Sequence, residues 1–247
     1  MSLLDPTYAK VGNVNSLLKN RGFCVLDAPS VTQWLNCSTE DLGSLSPSWD
    51  TLPYDNYLKD GGHYRRRRHS SFVFENNICA QVPHRAHWQP LDYNALHGGM
   101  KRWFEPILAA TIIQPTWSKI LTKLASTANE LSEAHEKRWC IEAHQFRIDT
   151  TDGIGRPTPE GAHRDGVDWV AVFMVNRKGI KGGETRVFDA HGPHGERFTL
   201  TESWSLLLLN DARMIHESTP IQPLAESGYR DTLVVTLREN YFQNPVL

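Results

Sequence analysis

Beyond residue 138 the chain breaks into short strand-like runs, and their spacing limits the available folds more than any other feature. The runs are 139–148, 169–175, 185–188, 203–209 and 233–237. They are rich in β-branched, aromatic and other apolar residues, with turn-forming residues gathered between them. Short strands with turn-rich separations predict an antiparallel double sheet. The expected fold is therefore mostly β with flanking helices, around a double-stranded β-helix core of the jelly-roll, cupin-like kind.

The first half reads differently. Apolar residues at helical spacing over 14–20 predict a helix that stops at Gly22, followed by a short strand over 23–26. Ser30 is the expected cap of a second short helix holding Trp34 and Leu35. Residues 38–62 read as loop and turns, and 100–108 and 116–134 as helices. In the last of these Ile120, Leu121, Leu124, Ala128 and Leu131 share one face, which fits packing against a sheet. A chain of 247 residues has the length of one large domain. Residues 1–247 are read as a single domain, with 1–137 its helix-rich N-terminal part and 138–240 the jelly-roll core that carries the site.

Composition removes some classes of function. Lys and Arg number 26 against 28 Asp and Glu, a net charge of −2, so there is no bulk attraction to nucleic acid or to an anionic membrane. Hydrophobic residues at 40% support a packed core rather than disorder. The four cysteines, Cys24, Cys37, Cys79 and Cys140, make no Cys-x-x-Cys pair. The opening residues lack the pattern of a signal peptide, and no apolar stretch approaches the ~18 residues that would span a bilayer. The expectation is a cytoplasmic protein with reduced thiols.

The chemistry concentrates around His163-x-Asp165. Two residues apart on an extended chain, their side chains leave the same face. One imidazole and one carboxylate make part of a metal site, and His216, after the run 203–209 and a turn, is the expected third ligand. Such a trio would hold iron(II) on three adjacent corners of an octahedron, leaving three for a co-substrate and oxygen. A competing set, His191, His194 and Glu196, sits in a Gly/Pro-rich turn that reads more simply as a solvated hairpin tip. Arg230 and Thr232 share a face at the start of the last run, where a guanidinium and a hydroxyl suit a distal carboxylate. The simpler reading of Arg230 is an ion pair with Asp231 or Glu239. Arg65 to Arg68 form a short basic run, which reads most simply as a solvated face and less often as a nucleic-acid patch; because it leads straight into a strand-like segment, alternate arginines would point to opposite sides, and one or two turned inward at an anionic ligand is the other reading.

These residues resemble a known family. His163-x-Asp165, His216 and Arg230-x-Thr232 follow the pattern of the 2-oxoglutarate- and iron(II)-dependent dioxygenases. The stretches 64–72, 144–148, 159–166, 182–184 and 215–221 resemble the bacterial group typified by isoleucine 4-hydroxylase, which acts on free amino acids. The resemblance spans roughly residues 20–240. It departs from that group at His69-Ser70, where the group carries Tyr-Gly. It implies Fe(II), 2-oxoglutarate as co-substrate and O2, with release of succinate and CO2 as a free L-amino acid or similar small metabolite is hydroxylated. The expected partner is thus a small molecule, with no nucleic acid and no membrane. A free amino acid needs a cation for its carboxylate and an acid for its ammonium; Arg147, Gln145, Glu160, Asp211 and Arg213 are candidates by type and place. Two alternatives stand beside this reading: a non-catalytic cupin-like sensor of a small anion, and an oxygenase of a macromolecular substrate.

Overall fold

Alternation of burial along the long strands sets the architecture. In the computed structural model, which describes residues 4–94, 96–132 and 137–245, twelve strands and five α-helices are laid out as follows. The strands are β1 (Phe23–Leu26), β2 (Arg65–Glu75), β3 (Ile78–Gln81), β4 (Trp139–Asp149), β5 (Trp169–Lys178) and β6 (Ile180–Gly182), then β7 (Thr185–Asp189), β8 (Gly195–Phe198), β9 (Ser205–Asn210), β10 (Met214–Ser218), β11 (Ile221–Pro223) and β12 (Tyr229–Glu239). The helices are α1 (Val14–Arg21), α2 (Ala28–Leu35), α3 (Thr39–Gly43), α4 (Ala109–Ile112) and α5 (Pro115–Leu131). A seven-stranded sheet runs β1-β9-β5-β12-β4-β2-β3, and a three-stranded sheet runs β10-β7-β8. All pairings between these strands are antiparallel. This is a jelly-roll arrangement, mostly β with flanking helices.

The large sheet separates two environments. On one face Ile141, Ala143, Phe173, Leu233, Val235 and Leu237 join a core with Trp117, Ile120, Leu121 and Leu124 of α5. The other face carries Glu142, His144, Phe146 and Ile148 of β4 and Arg230, Thr232, Val234 and Thr236 of β12, all lining one cavity. Period-2 alternation thus sends apolar residues to the helices and polar ones to the cavity.

Local signals explain most boundaries. Gly22 takes φ +84° after α1, where a Cβ would meet Met214 Sδ at 2.6 Å, so only glycine lets the chain turn into β1. The cap of α2 is Asp27 and not Ser30: Asp27 Oδ1 accepts the Ser30 N–H at 2.9 Å, and Pro29 lies in the first turn. The 38–62 segment includes the helix α3, opened by a capping box between Ser38 and Asp41, and a 3-10 turn over Ser46–Thr51.

The expected helix over 100–108 does not form. Pro106 has no amide donor and pushes Glu105 to an extended conformation. Arg102 bridges His87 across an isolated antiparallel contact, and Arg102 and Phe104 are buried between exposed neighbours. The helix expected over 116–134 is α5; residues 133 and 134 lie outside the described residues. Among the described residues no helix is long and apolar enough to cross a membrane.

Candidate active site

One cavity, open to solvent at its mouth, lies between the large sheet, β10 and the segment around His163. His163 and His216 are fastened to each other through the backbone. His163 N–H donates to His216 O at 3.0 Å and His216 N–H to His163 O at 2.9 Å. Asp165 reaches between them, with Oδ1 3.8 Å from His163 Nε2 and Oδ2 3.6 Å from His216 Nε2. One ligand atom from each of the three lies within 4.8 Å of the others.

The surroundings orient the trio for a metal. His163 Nδ1 donates to Gly161 O at 2.9 Å, which leaves the Nε2 lone pair facing Asp165. Burial works against a charged His163, but Asp165 and Glu160 outweigh it and raise its pKa. Burial and the neighbouring His163 push His216 down to about 3, so it is a neutral donor. Asp211 does not line the cavity. Its carboxylate collects the backbone N–H groups of Asp165, Gly166 and Val167 at 3.0, 2.8 and 3.1 Å, fixing the loop that presents Asp165. Burial and Asp165 push the Asp211 carboxyl up to about 7 against those three donors.

Arg230 is buried in the same cavity and its Nε has no hydrogen-bond partner. Burial and nearby Arg177 lower its pKa to about 10, so it stays charged at neutral pH. Neither local acid neutralises it. Asp231 faces the other way and takes a bidentate bond from Arg147 at 2.8 Å to each oxygen, and Glu239 pairs with Lys137. A buried, unpaired guanidinium is costly unless an anion meets it. Thr232 lies two residues on along the same face, beside a β-bulge where the pairing of β12 with β5 shifts between Asp231 and Thr232.

The arginine run alternates as strand geometry requires. Arg65 and Arg67 line the cavity, while Arg66 meets Tyr54 and Asp149 outside and Arg68 donates to Pro106 O. Arg65 Nε donates to Asp55 Oδ2 at 2.7 Å, and Arg67 Nη1 stands 3.7 Å from the same oxygen. Arg67 is clamped between Phe104 and Phe146, its Cζ 3.7 and 4.4 Å from the ring centroids.

A second cluster of buried ligand-type side chains, His69, His87, Glu142 and His144, lies in this region. Its hydrogen bonds point away from metal binding. Arg67 Nη2 lies 2.7 Å from His144 Nδ1; a guanidinium can only donate, so that nitrogen is the acceptor and the ring proton sits on Nε2. Neither His144 nitrogen then has a lone pair free for an ion. Glu142 is already engaged by Arg85 and His69 at 3.1 Å each and by His87 at 3.4 Å. Burial opposes the Glu142 carboxylate, yet the two histidines hold its pKa well below the ordinary range. Burial keeps His69 and His144 neutral and takes His87 down to about 4.

Of the residues expected to touch substrate, Glu160 lines the cavity and the other four do not. Gln145 and Arg147 lie on the opposite face of β4, where Gln145 Nε2 donates to Ser48 Oγ at 2.7 Å and Arg147 binds Asp231 and Asp50. Arg213 donates to Leu18 O and Asn20 O at 3.4 and 3.2 Å, where α1 ends. Asp211 holds backbone amides, as above. His191, His194 and Glu196 are exposed around the β7–β8 turn, and among the described residues they form no metal-compatible group. Asp55, Gln89, His97 and Arg102 enter the site without having been singled out. The sequence signal against a helix over 100–108 is Pro106, but the residues 101–105, Lys-Arg-Trp-Phe-Glu, do not mark Arg102 as buried.

The model of the 2OG-Fe dioxygenase family matches residues 46–236. The chain belongs to that family. Membership makes it an oxidoreductase and implies Fe(II), 2-oxoglutarate and O2. Among solved structures, a bsmA homolog from Methylobium petroleophilum PM1 is 48% identical over 100% of both chains, with a TM-score of 0.92. IDO from Bacillus thuringiensis is 18% identical, with 94% of this chain and 100% of that one covered and a TM-score of 0.76. The Fe(II)/(alpha)ketoglutarate-dependent dioxygenase TqaL is also 18% identical, covering 94% and 91%, with a TM-score of 0.72. The last two likenesses are of fold. No curated protein sequence matches the chain.

Proposed function

We propose that this dioxygenase hydroxylates a free L-amino acid or similar small metabolite, as one domain working in the cytoplasm. His163, Asp165 and His216 are its iron ligands, and Arg230 with Thr232 takes the far carboxylate of 2-oxoglutarate. The observation that carries the reading is a buried Arg230 whose Nε has no hydrogen-bond partner among the described residues, in the same cavity as two imidazoles and a carboxylate gathered within 4.8 Å. Two histidines and one carboxylate on one side of an ion are the donor set of oxygen-activating iron(II), with open positions left over. When bound, the iron and 2-oxoglutarate supply the oxidation: one oxygen atom of O2 enters the substrate C–H bond and the other enters succinate, with loss of CO2.

The protein's own residues provide placement. Gly161 O fixes the His163 tautomer, and Asp211 fixes the loop of Asp165. Gln89 Nε2 donates to Asp165 Oδ1 at 3.1 Å and restrains the carboxylate. The bulge at Asp231/Thr232 adds local twist to the strand that carries Arg230. The gathering of the trio, Arg230 and further buried polar side chains around one concave cavity supports a small substrate over a macromolecular one. The intact ligand trio favours an enzyme over an anion sensor, which needs no open metal positions. The free thiols of all four cysteines fit a reducing compartment.

The test is release of succinate by purified protein with Fe(II), ascorbate and 2-oxoglutarate, against a panel of amino acids. We expect at least one amino acid to stimulate succinate release and to gain one oxygen by mass spectrometry. Release that no small molecule stimulates, with full activity retained in His216→Ala, contradicts the reading.

A further inference from the structure

Cations are more numerous in the cavity than the co-substrate requires. Arg65 and Arg230 sit in one row of the large sheet, each opposite Ile148 on β4. Two strand spacings separate their backbones by about 10 Å. Arg230 therefore serves one anion, and the wall built by Arg65, Arg67 and Arg102 faces a second part of the cavity. All three residues are buried. Their internal neutralisation is incomplete. Asp55 is one carboxylate shared by Arg65 and Arg67, while Arg102 Nη2 donates to Gln89 Oε1, a neutral amide, at 2.8 Å.

Three guanidiniums against one carboxylate leave two positive charges to be met from the cavity. Unpartnered atoms mark the same place: among the described residues, Arg65 Nη2, Arg102 Nε and both ring nitrogens of His97 have no hydrogen bond. The other acids nearby are committed. Glu142 is held by Arg85, His69 and His87, and Asp165 belongs to the iron trio. Glu160 is committed only in part: its Oε1 stands 3.6 Å from His163 Nε2, while its Oε2 is buried in the cavity without a hydrogen-bond partner among the described residues. Two residual cations and one residual anion are complementary to a molecule with two carboxylates and one ammonium group.

We propose that the Arg65–Arg67–Arg102 wall, with Glu160 opposite in charge, is the substrate subsite, and that it selects an acidic amino acid over its neutral isosteres. This rests on the oxygenase reading above and narrows its substrate class. A neutral aliphatic amino acid would leave one guanidinium desolvated and unpaired, which is the larger penalty. Charge-assisted, fork-shaped bonds also discriminate a carboxylate from a carboxamide of the same shape.

The experiment is an anaerobic calorimetric titration of protein loaded with Fe(II) and 2-oxoglutarate. The probes are L-aspartate, L-glutamate, L-asparagine, L-glutamine and L-leucine. We expect one acid to bind at least tenfold more tightly than its own amide and than leucine. In Arg102→Gln, checked for fold by circular dichroism, that ratio should fall towards one while 2-oxoglutarate affinity stays within about twofold. Arg102→Lys, which keeps the charge without the fork, should fall between. Equal or tighter binding of the amides or of leucine overturns the proposal, as does a protein that binds 2-oxoglutarate but none of the five probes. A protein that binds neither Fe(II) nor 2-oxoglutarate removes the oxygenase reading itself, a separately visible failure.

Discussion

A guanidinium sealed inside a sheet is informative because so few arrangements tolerate it. Arg230 is 4% exposed and its two nearest candidate acids are bound elsewhere. At this scale the account expects Arg230→Ala to weaken 2-oxoglutarate binding by about ten- to a thousandfold, since each charge-assisted bond contributes about 1.5–3 kcal/mol. Arg230→Lys should recover part of the loss, because an ammonium cannot supply two parallel donors. Titration of 2-oxoglutarate into each Fe(II)-loaded variant reads the effect. Unchanged affinity in Arg230→Ala would move the co-substrate to Arg65, Arg67 or Arg102.

At the scale of elements, small side-chain contacts decide where segments begin. Asp27 caps α2 while Ser30 only offers its backbone N–H. Asp27→Ala should therefore cost about 1 kcal/mol in urea denaturation and Ser30→Ala close to nothing; the reverse order would return the cap to Ser30. The same scale separates what the sequence made legible from what it hid. The strands of the core, the His-x-Asp pair and the Arg-x-Thr pair were readable because each depends on spacing along one strand or one turn; His216, on a strand far along the chain, could be picked out only by its place after a core strand and by the resemblance. The substrate wall was not. Both faces of the middle of β4 carry polar residues, so its hydrophobic pattern does not say which face is inward, and Gln145 and Arg147 are one residue out of phase with His144 and Phe146. Arg102 was hidden in a stretch with helical composition that Pro106 makes extended. Asp55, from the turn-rich segment, and Arg65, from a strand, meet only in three dimensions.

Across the whole molecule, the buried histidines make stability depend on pH. His87 titrates near 6.5 when unfolded and about 4 when folded, because burial disfavours its charge. The unfolded chain then takes up the proton first as pH falls. Stability from keeping His87 neutral is complete above about pH 6.5 and is lost on going down to pH 4, by up to about 3 kcal/mol. His69 and His144 shift in the same direction, whereas Asp211, raised to about 7, opposes them over part of that range. The comparison is accordingly between proteins: denaturation midpoints of the parent and of His87→Gln from pH 7 to 4.5 should diverge, with the parent falling more steeply. Parallel curves would mean that His87 is not held neutral in the folded state.

The proposed function depends first on iron sitting between His163, Asp165 and His216. The most direct measurement is anomalous diffraction at the iron edge from anaerobic crystals soaked in Fe(II). The account predicts one strong peak about 2.0–2.2 Å from His163 Nε2, His216 Nε2 and an Asp165 oxygen, and none between His69, His87, Glu142 and His144, where Arg67 keeps the His144 ring proton on Nε2. A peak in that second cluster, or at His191, His194 and Glu196, with the first site empty, would contradict it.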